Sequence, residues 1–161
     1  MENKTILLFR TGADNYSVRT IGQADIELLR EWKNANRESF FFRKIITPEM
    51  QEEWFKSYQQ RENDFMLVIV NNSERVGCIG FRRLKDRIDL YNLIVGKTED
   101  AGKGNMSGAL DLVCAEAKKR YPGLPIMVSV LRTNPALKWY AKRGFTTVAE
   151  HEDYVELERK A

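Results

Sequence analysis

The stretch "LYNLIVGKTEDAGKGNMSGALDLV", Leu90–Val113, runs from a β-rich segment through a glycine loop into a helical stripe. Ile88–Val95 has the aliphatic and aromatic content of a strand. From Met106 onward, apolar residues return at Leu110, Val113 and Ala117, the spacing of a helix with one buried face. Lys118, Lys119 and Arg120 follow at the end where the helix dipole favours cations. In between, Gly102 and Gly104 let the backbone approach a ligand closely. The first helical turn adds unpaired amides and a partial positive charge. Such a unit suits a pyrophosphate, with Lys103 adding a point charge. It is neither G-x-x-x-x-G-K-[ST] nor G-x-G-x-x-G, and Glu99 and Asp100 oppose an anion. Taken alone it is a glycine turn before a helix, and its role has to be decided from the rest of the chain.

Upstream, Ile6–Phe9 and Tyr16–Ile21 have strand character, separated by the turn formers of "TGADN". A first helix carries Ile26, Leu28, Leu29 and Trp32. A second begins cleanly at Thr47, with Pro48 and Glu49 in its first turn, and the spacing predicts a buried stripe of Met50, Trp54 and Tyr58. Phe65–Val70, Val76–Phe81 and Ile88–Val95 form a three-strand meander joined by short turns. Downstream, "PGLP" breaks the long helix. Ile126–Val130 is a strand, Pro135–Lys142 a short helix stopped by Gly144, and Phe145–Ala149 with Tyr154–Leu157 a closing pair. The order is β-β-α-α-β-β-β-α-β-α-β-β, which is an α+β domain with a mixed sheet.

The decisive downstream stretch is "TNPALKWYAKRGF", Thr133–Phe145. A strand ends, a short helix carries Trp139 and Tyr140, and Gly144-Phe145 opens the next strand. With "LYNLIV" leading into "AGKGNM", the chain resembles the GNAT superfamily of acyl-CoA-dependent N-acetyltransferases. Its motifs are a strand followed by R/Q-x-x-G-x-G/A and a helix, then N-x-x-A-x-x-x-Y-x-x-x-G-F. "VRTIGQADIELLREWKN" and "ITPEMQEEWF" resemble the opening strand and paired helices, so the likeness covers about residues 16–158. It implies a mixed, mostly antiparallel sheet of six to seven strands flanked by about four helices. Residues 1–161 then form a single domain, with 1–15 as an extra strand or tail. Two departures stand out. Ala101 replaces the leading Arg or Gln and Met106 the final small residue, with Gly104 alone keeping its place. Asn134 falls one position late, so that Thr133 occupies the strict Asn site.

The resemblance implies acetyl transfer from acetyl-CoA to an amine. Leu93, Ile94 and Val95 would lie along pantetheine, the N–H of Ile94 or Val95 meeting the thioester oxygen on a strand splayed from its neighbour. Backbone amides of Ala101, Gly102, Lys103, Gly104, Asn105 and Met106 would take the pyrophosphate, and Asn134 and Tyr140 would add contacts. Tyr140 matches the family's general acid beside the sulfur; the bland reading is a packing tyrosine. Asp89 and Tyr91 alternate on one strand face toward the cleft and are candidate bases, although at the start of its strand Asp89 reads first as a solvated turn residue. Acceptor binding falls to Trp32, Arg37, Phe41 and Arg43, around the loop "NANRESFFFRKI". There, the alternative is phenylalanines sealing the core and charges facing water. The acceptor would be a small-molecule amine, an amino sugar or a protein N-terminus, and the family's closing strands often pair into homodimers. A non-catalytic acyl-CoA-binding module is the rival implied by the altered loop.

Composition bounds these readings. A chain of 161 residues with 30% charged residues and net charge +3 suits one soluble domain. The interleaved charges argue against a continuous nucleic-acid surface. Cys78 and Cys114 sit among apolar neighbours as free thiols. The single histidine, His151, argues against a His-based zinc site. The four-residue apolar run Ile6–Phe9 is too short for a membrane span, so no membrane partner and a cytoplasmic location are expected.

Overall fold

A computed structural model describes residues 4–12, 15–96 and 104–160. Its centre is a strand with no polar alternation, β3 (Asp64–Asn71), which is buried on both faces. Phe65, Leu67 and Ile69 point to one core, Met66 and Val68 to another. Around it lie β1 (Leu7–Phe9), β2 (Tyr16–Thr20), β4 (Glu74–Arg83), β5 (Ile88–Val95), β6 (Ile126–Leu131), β7 (Phe145–Glu150) and β8 (Tyr154–Arg159). They form one sheet of eight strands in the order β1-β2-β3-β4-β5-β6-β8-β7. The six to seven strands implied by the resemblance fall short because the N-terminal segment is no loose tail: Leu7, Leu8 and Phe9 pair with Arg19, Val18 and Ser17. Among the described residues only β5 and β6 run parallel. The long helix that joins them supplies the crossover such a pair needs.

The sheet separates two helical layers. On one face, α1 (Ile26–Ala35) and α2 (Pro48–Gln60) bury Ile26, Leu29, Trp32, Phe55 and Tyr58 over Met66, Val68, Cys78 and Ile94. On the other, α3 (Asn105–Arg120) buries Met106, Ala109, Leu110, Val113 and Ala117, the face expected from its spacing. The short α4 (Leu137–Lys142) precedes β7. The Thr47 hydroxyl caps α2, accepting the Met50 N–H at 3.2 Å ahead of Pro48. The buried face of α2 is rotated from the expected one: Gln51, Phe55 and Tyr58 point inward, Trp54 is half-buried and Met50 is 40% exposed. The Gln51 amide donates to the Ile26 carbonyl at 2.8 Å, which fixes that rotation from the first turn of α1.

Asp25 knots this layer to the sheet. Its carboxylate accepts the Gly22 N–H at 2.8 Å, Arg19 at 2.8 Å and Arg75 at 3.0 Å. Burial alone would raise its pKa, but these donors prevail and hold it below the usual carboxylate value. Cys78 and Cys114 are free and buried. No helix among the described residues is long and apolar enough to cross a membrane.

Two glycines in β4 exist to admit neighbours. A Cβ on Gly80 would lie 2.7 Å from the Tyr91 ring, and one on Gly77 2.7 Å from both the Ile94 carbonyl oxygen and Met106 Sδ. Because one of those atoms is backbone, Gly77→Ala is expected to cost about 1–3 kcal/mol in urea unfolding. Gly22→Ala, with open space around it, should stay within about 0.5 kcal/mol of the parent.

Candidate active site

The site begins where two parallel strands stop pairing. β5 and β6 are joined only at Ile88, Asp89 and Leu90, facing Ile126, Met127 and Val128. On its other edge β5 carries a bulge: Cys78 faces Ile94 while Gly80 faces Tyr91, so β5 holds one residue more than β4. Asn92, inside the bulge, has a left-handed φ of 49°. Two contacts hold it there. The Cys78 thiol donates to the Asn92 carbonyl at 3.3 Å, and the Lys33 ammonium of α1 donates to the Asn92 side-chain oxygen. Beyond Leu90 the strands part, opening a cleft of about 1040 Å³.

The start of α3 closes one end of the cleft. Gly104 caps it with φ 79°, a conformation that glycine adopts without strain. The Asn105 side chain accepts from Asn71 at 2.9 Å, and its carbonyl accepts from the Tyr16 hydroxyl. The first turn is thus fixed to β2 and β3. Gly104, Asn105, Met106 and Ser107 line the cleft, where first-turn amides lack helical partners. The Met106 side chain turns away into the core and meets the empty side of Gly77. Ala101, Gly102 and Lys103 lie outside the described residues.

Leu93 and Val95 are half-buried against the α3 core, and Ile94 is buried toward α1 and α2; all three line the cleft. So do Asn134 and Tyr140. The Asn134 side-chain oxygen accepts the Ala136 N–H at 2.9 Å, an Asx turn that starts α4. Its amide reaches the Ser39 carbonyl at 3.4 Å in the loop between α1 and α2. Tyr140 is 4% exposed and set edge-on to Trp139 and Phe145, with centroids at 5.2 and 5.3 Å. Burial pushes its phenol well above the ordinary tyrosine value, so the proton stays on oxygen at neutral pH.

Asp89 is no solvated turn residue. It is 8% exposed and accepts from Arg82 Nε at 2.9 Å, and both line the cleft. Burial, only partly offset by that guanidinium, raises its carboxyl above the usual value. The Tyr91 ring lies flat on Gly80 beneath the Arg82 guanidinium, 4.5 Å from its centroid. The Tyr91 hydroxyl donates to the buried Asp64, and burial first, then Asp64, lifts its pKa far up. A phenol so placed is a poor base. Tyr91 lies beside Asp89, as expected, but acts as a support.

The acceptor assignments divide. Phe41 lines the cleft, edge-on to Tyr154 at 5.2 Å. Trp32 does not line it: the ring is buried in the core, with Cζ2 only 2.4 Å from where a Gly96 Cβ would lie. Arg37 donates to the Asn34 carbonyl at 3.2 Å and Arg43 to the Phe40 carbonyl at 3.4 Å; each ties down its own loop outside the cleft lining. Phe40 and Phe42 of the acceptor loop line it too, as does Trp54; sequence reasoning passed over Lys33, Arg82 and Tyr154, which also line it. The Lys33 ammonium stands 3.6 Å from the Phe40 ring centroid, and burial pushes its pKa down to about 8.

The chain matches the acetyltransferase (GNAT) domain model over residues 17–146 and belongs to that family. A comparison with curated protein sequences gives no significant match. Three solved structures illustrate the fold. The PaiA N-acetyltransferase of Thermoplasma acidophilum, in complex with coenzyme A, shares 20% identity at TM-score 0.68, covering 91% of this chain and 99% of that one. FdhC, a nucleotide-linked sugar GNAT, shares 16% identity at TM-score 0.75, covering 93% and 89%. An acetyltransferase of Salmonella typhimurium that modifies the N-terminal serine of a 50S ribosomal subunit protein shares 17% identity at TM-score 0.70, covering 91% and 93%. The donor associated with this family is acetyl-CoA. The parted strands and the capped start of α3 fit such an extended, phosphate-bearing group. Gly104→Val forces a β-branched residue into left-handed φ. By calorimetry it should raise the Kd for coenzyme A at least about ten-fold, with the melting temperature as the check on folding.

Proposed function

We propose that this protein transfers the acetyl group of acetyl-CoA directly to a primary amine of a small molecule, an amino sugar or a peptide N-terminus. The observation that carries this reading is the parting of β5 from β6 beside both a protonated Tyr140 and a buried Asp89. Acetyl-CoA, when bound, supplies a thioester carbonyl for attack by the neutral amine. The open edge of β5 around Leu93, Ile94 and Val95 offers main-chain hydrogen bonds to an extended chain, and an N–H there can polarise the carbonyl. First-turn amides of α3, with the loop before it, take the pyrophosphate.

Two proton tasks remain. Asp89 accepts the ammonium proton of the entering acceptor, directly or through one water. A carboxyl raised by burial is a better match to an amine than an ordinary one. Arg82 opposes the effect of burial on it and aims it from β4. Tyr140 donates the proton to the departing sulfur, a role that suits a phenol whose burial keeps it protonated, and it regains one from the N–H proton that the acetylated nitrogen sheds as the amide forms, directly or through water. Phe41, Phe42 and Trp54 shield the reacting atoms from water. Residues 1–161 act in this proposal as one domain, with a homodimer through the closing strands as its quaternary expectation.

Tyr140→Phe is expected to lower kcat about 10²-fold in a thiol-release assay. The Kd for acetyl-CoA should stay within about three-fold; unchanged kcat would remove Tyr140 from the chemistry. For Asp89, the sign follows from its raised pKa: the base form is lost as pH falls through a midpoint above 3.8. The acid limb of log kcat should therefore break above that value with unit slope. Asp89→Asn should remove the limb and lower kcat by about 10²-fold.

A further inference from the structure

A second cavity, of about 300 Å³, lies between α1, α2 and the sheet, behind Trp54. It adjoins the main cleft: Lys33, Phe42, Trp54, Asn92 and Ile94 line both. Leu29, Ile46, Met50 and Met66 complete its apolar wall. Besides the Trp54 indole, four polar side chains touch it, and each spends one group on a partner in the wall. Gln51 donates to the Ile26 carbonyl, Lys33 to Asn92, and Cys78 to the Asn92 carbonyl, while the Asn92 oxygen accepts from Lys33. Burial also pushes the Cys78 thiol up to about 12, so it adds no charge.

We propose that this cavity is the side-chain pocket for the amine acceptor, and that it selects an apolar group of leucine or methionine size next to the reacting amine. The proposal rests on the acetyltransferase reading and narrows its substrate class. Three features point to such an occupant. A hydroxylated group entering here exchanges water for a lining that is mostly carbon and sulfur, a loss of roughly ten- to a hundred-fold in binding for each hydroxyl that stays unpaired. A cationic group meets the Lys33 ammonium at the junction of the two cavities, held there over Phe40. An apolar group replaces water against a lining of mostly carbon and sulfur. Met50 and Phe42, 40% and 45% exposed at the rim, let the wall adjust to branched or straight chains. Asn92 and Ile94, shared with the main cleft, set the cavity against β5, the strand that carries Asp89.

The test is a panel of matched amines that differ only beyond the α-carbon: L-leucinamide, L-methioninamide, L-serinamide and L-lysinamide, with glucosamine as the sugar. Calorimetry with acetyl-CoA comes first. Given binding, kcat/KM for leucinamide and methioninamide should exceed that for serinamide, lysinamide and glucosamine by about 20-fold or more. Met50→Trp and Ile46→Trp fill the cavity from its rim. Each should cut the leucinamide-to-serinamide ratio at least ten-fold, with the melting temperature and the acetyl-CoA Kd held. Serinamide or glucosamine matching leucinamide, with acetyl-CoA bound normally, would overturn the pocket assignment alone. So would a ratio that neither filling variant moves. Failure to bind acetyl-CoA would instead overturn the acetyltransferase reading on which the assignment stands.

Discussion

The extra residue in β5 is the constraint from which the site follows. Between Tyr91 and Ile94 the strand carries one residue more than β4 opposite, and Asn92 absorbs the difference in a left-handed conformation. Such a residue costs free energy unless its surroundings hold it. Here a thiol from β4 and an ammonium from α1 do so, binding the carbonyl and the side chain of the same asparagine. Past the bulge β5 no longer tracks β6, and an edge opens in the middle of the sheet. An open edge inside a sheet is ordinarily a liability. In this fold it is the surface where a ligand can lie.

The same clamp determines the electrostatics. Lys33 can hold the bulge only by sitting half-buried, which lowers its pKa to about 8. Its neighbours compensate: Phe40 offers a ring face to the ammonium, and Asn92 an oxygen. On the other side of Tyr91, Arg82 stacks over the ring and binds Asp89. Tyr91 in turn is fixed from below by Asp64, itself held by Arg61 at 2.9 Å. Charges of both signs therefore line one wall while Tyr140 stays neutral on another. The wall groups are anchored by partners on β3, β4 and α1, and preorganised groups of this kind need little reorganisation as charge develops.

What the sequence made legible was local. The Met106–Ala117 face of α3, the Thr47 cap, the strand ending at Val95 and the Tyr140 helix each depend on spacing within a dozen residues. The family motifs then supplied their order. What it hid was set across the sheet. Lys33 reads as one more charge near the end of a helix, and nothing nearby in sequence shows that Asn92 receives it. Trp32 reads as an acceptor residue until Gly96 is seen beneath its ring. The rotation of α2 likewise depends on the Gln51 contact to Ile26, 25 residues away. Asp89 reads as a turn residue because its burial comes from β6 and the cleft walls rather than from its neighbours in sequence.

The departures in the glycine loop find a physical account in the same geometry. A methionine at position 106, where the family motif has a small residue, would crowd an anion if its side chain faced the cleft. It faces the core instead, and the room it needs there is the missing Cβ of Gly77 in β4. Volume absent from the strand is supplied by the helix, which keeps the core packed while the start of α3 stays close to the sheet. The amides that would meet a pyrophosphate belong to the backbone, and a change of side chain at 106 leaves them in place. Their position is fixed by Gly104, by Asn71 on the Asn105 side chain and by the Tyr16 hydroxyl on the Asn105 carbonyl. The α3 end of the cleft is therefore held by β2, β3 and β4 together, and the motif letters in the loop are only part of what makes it.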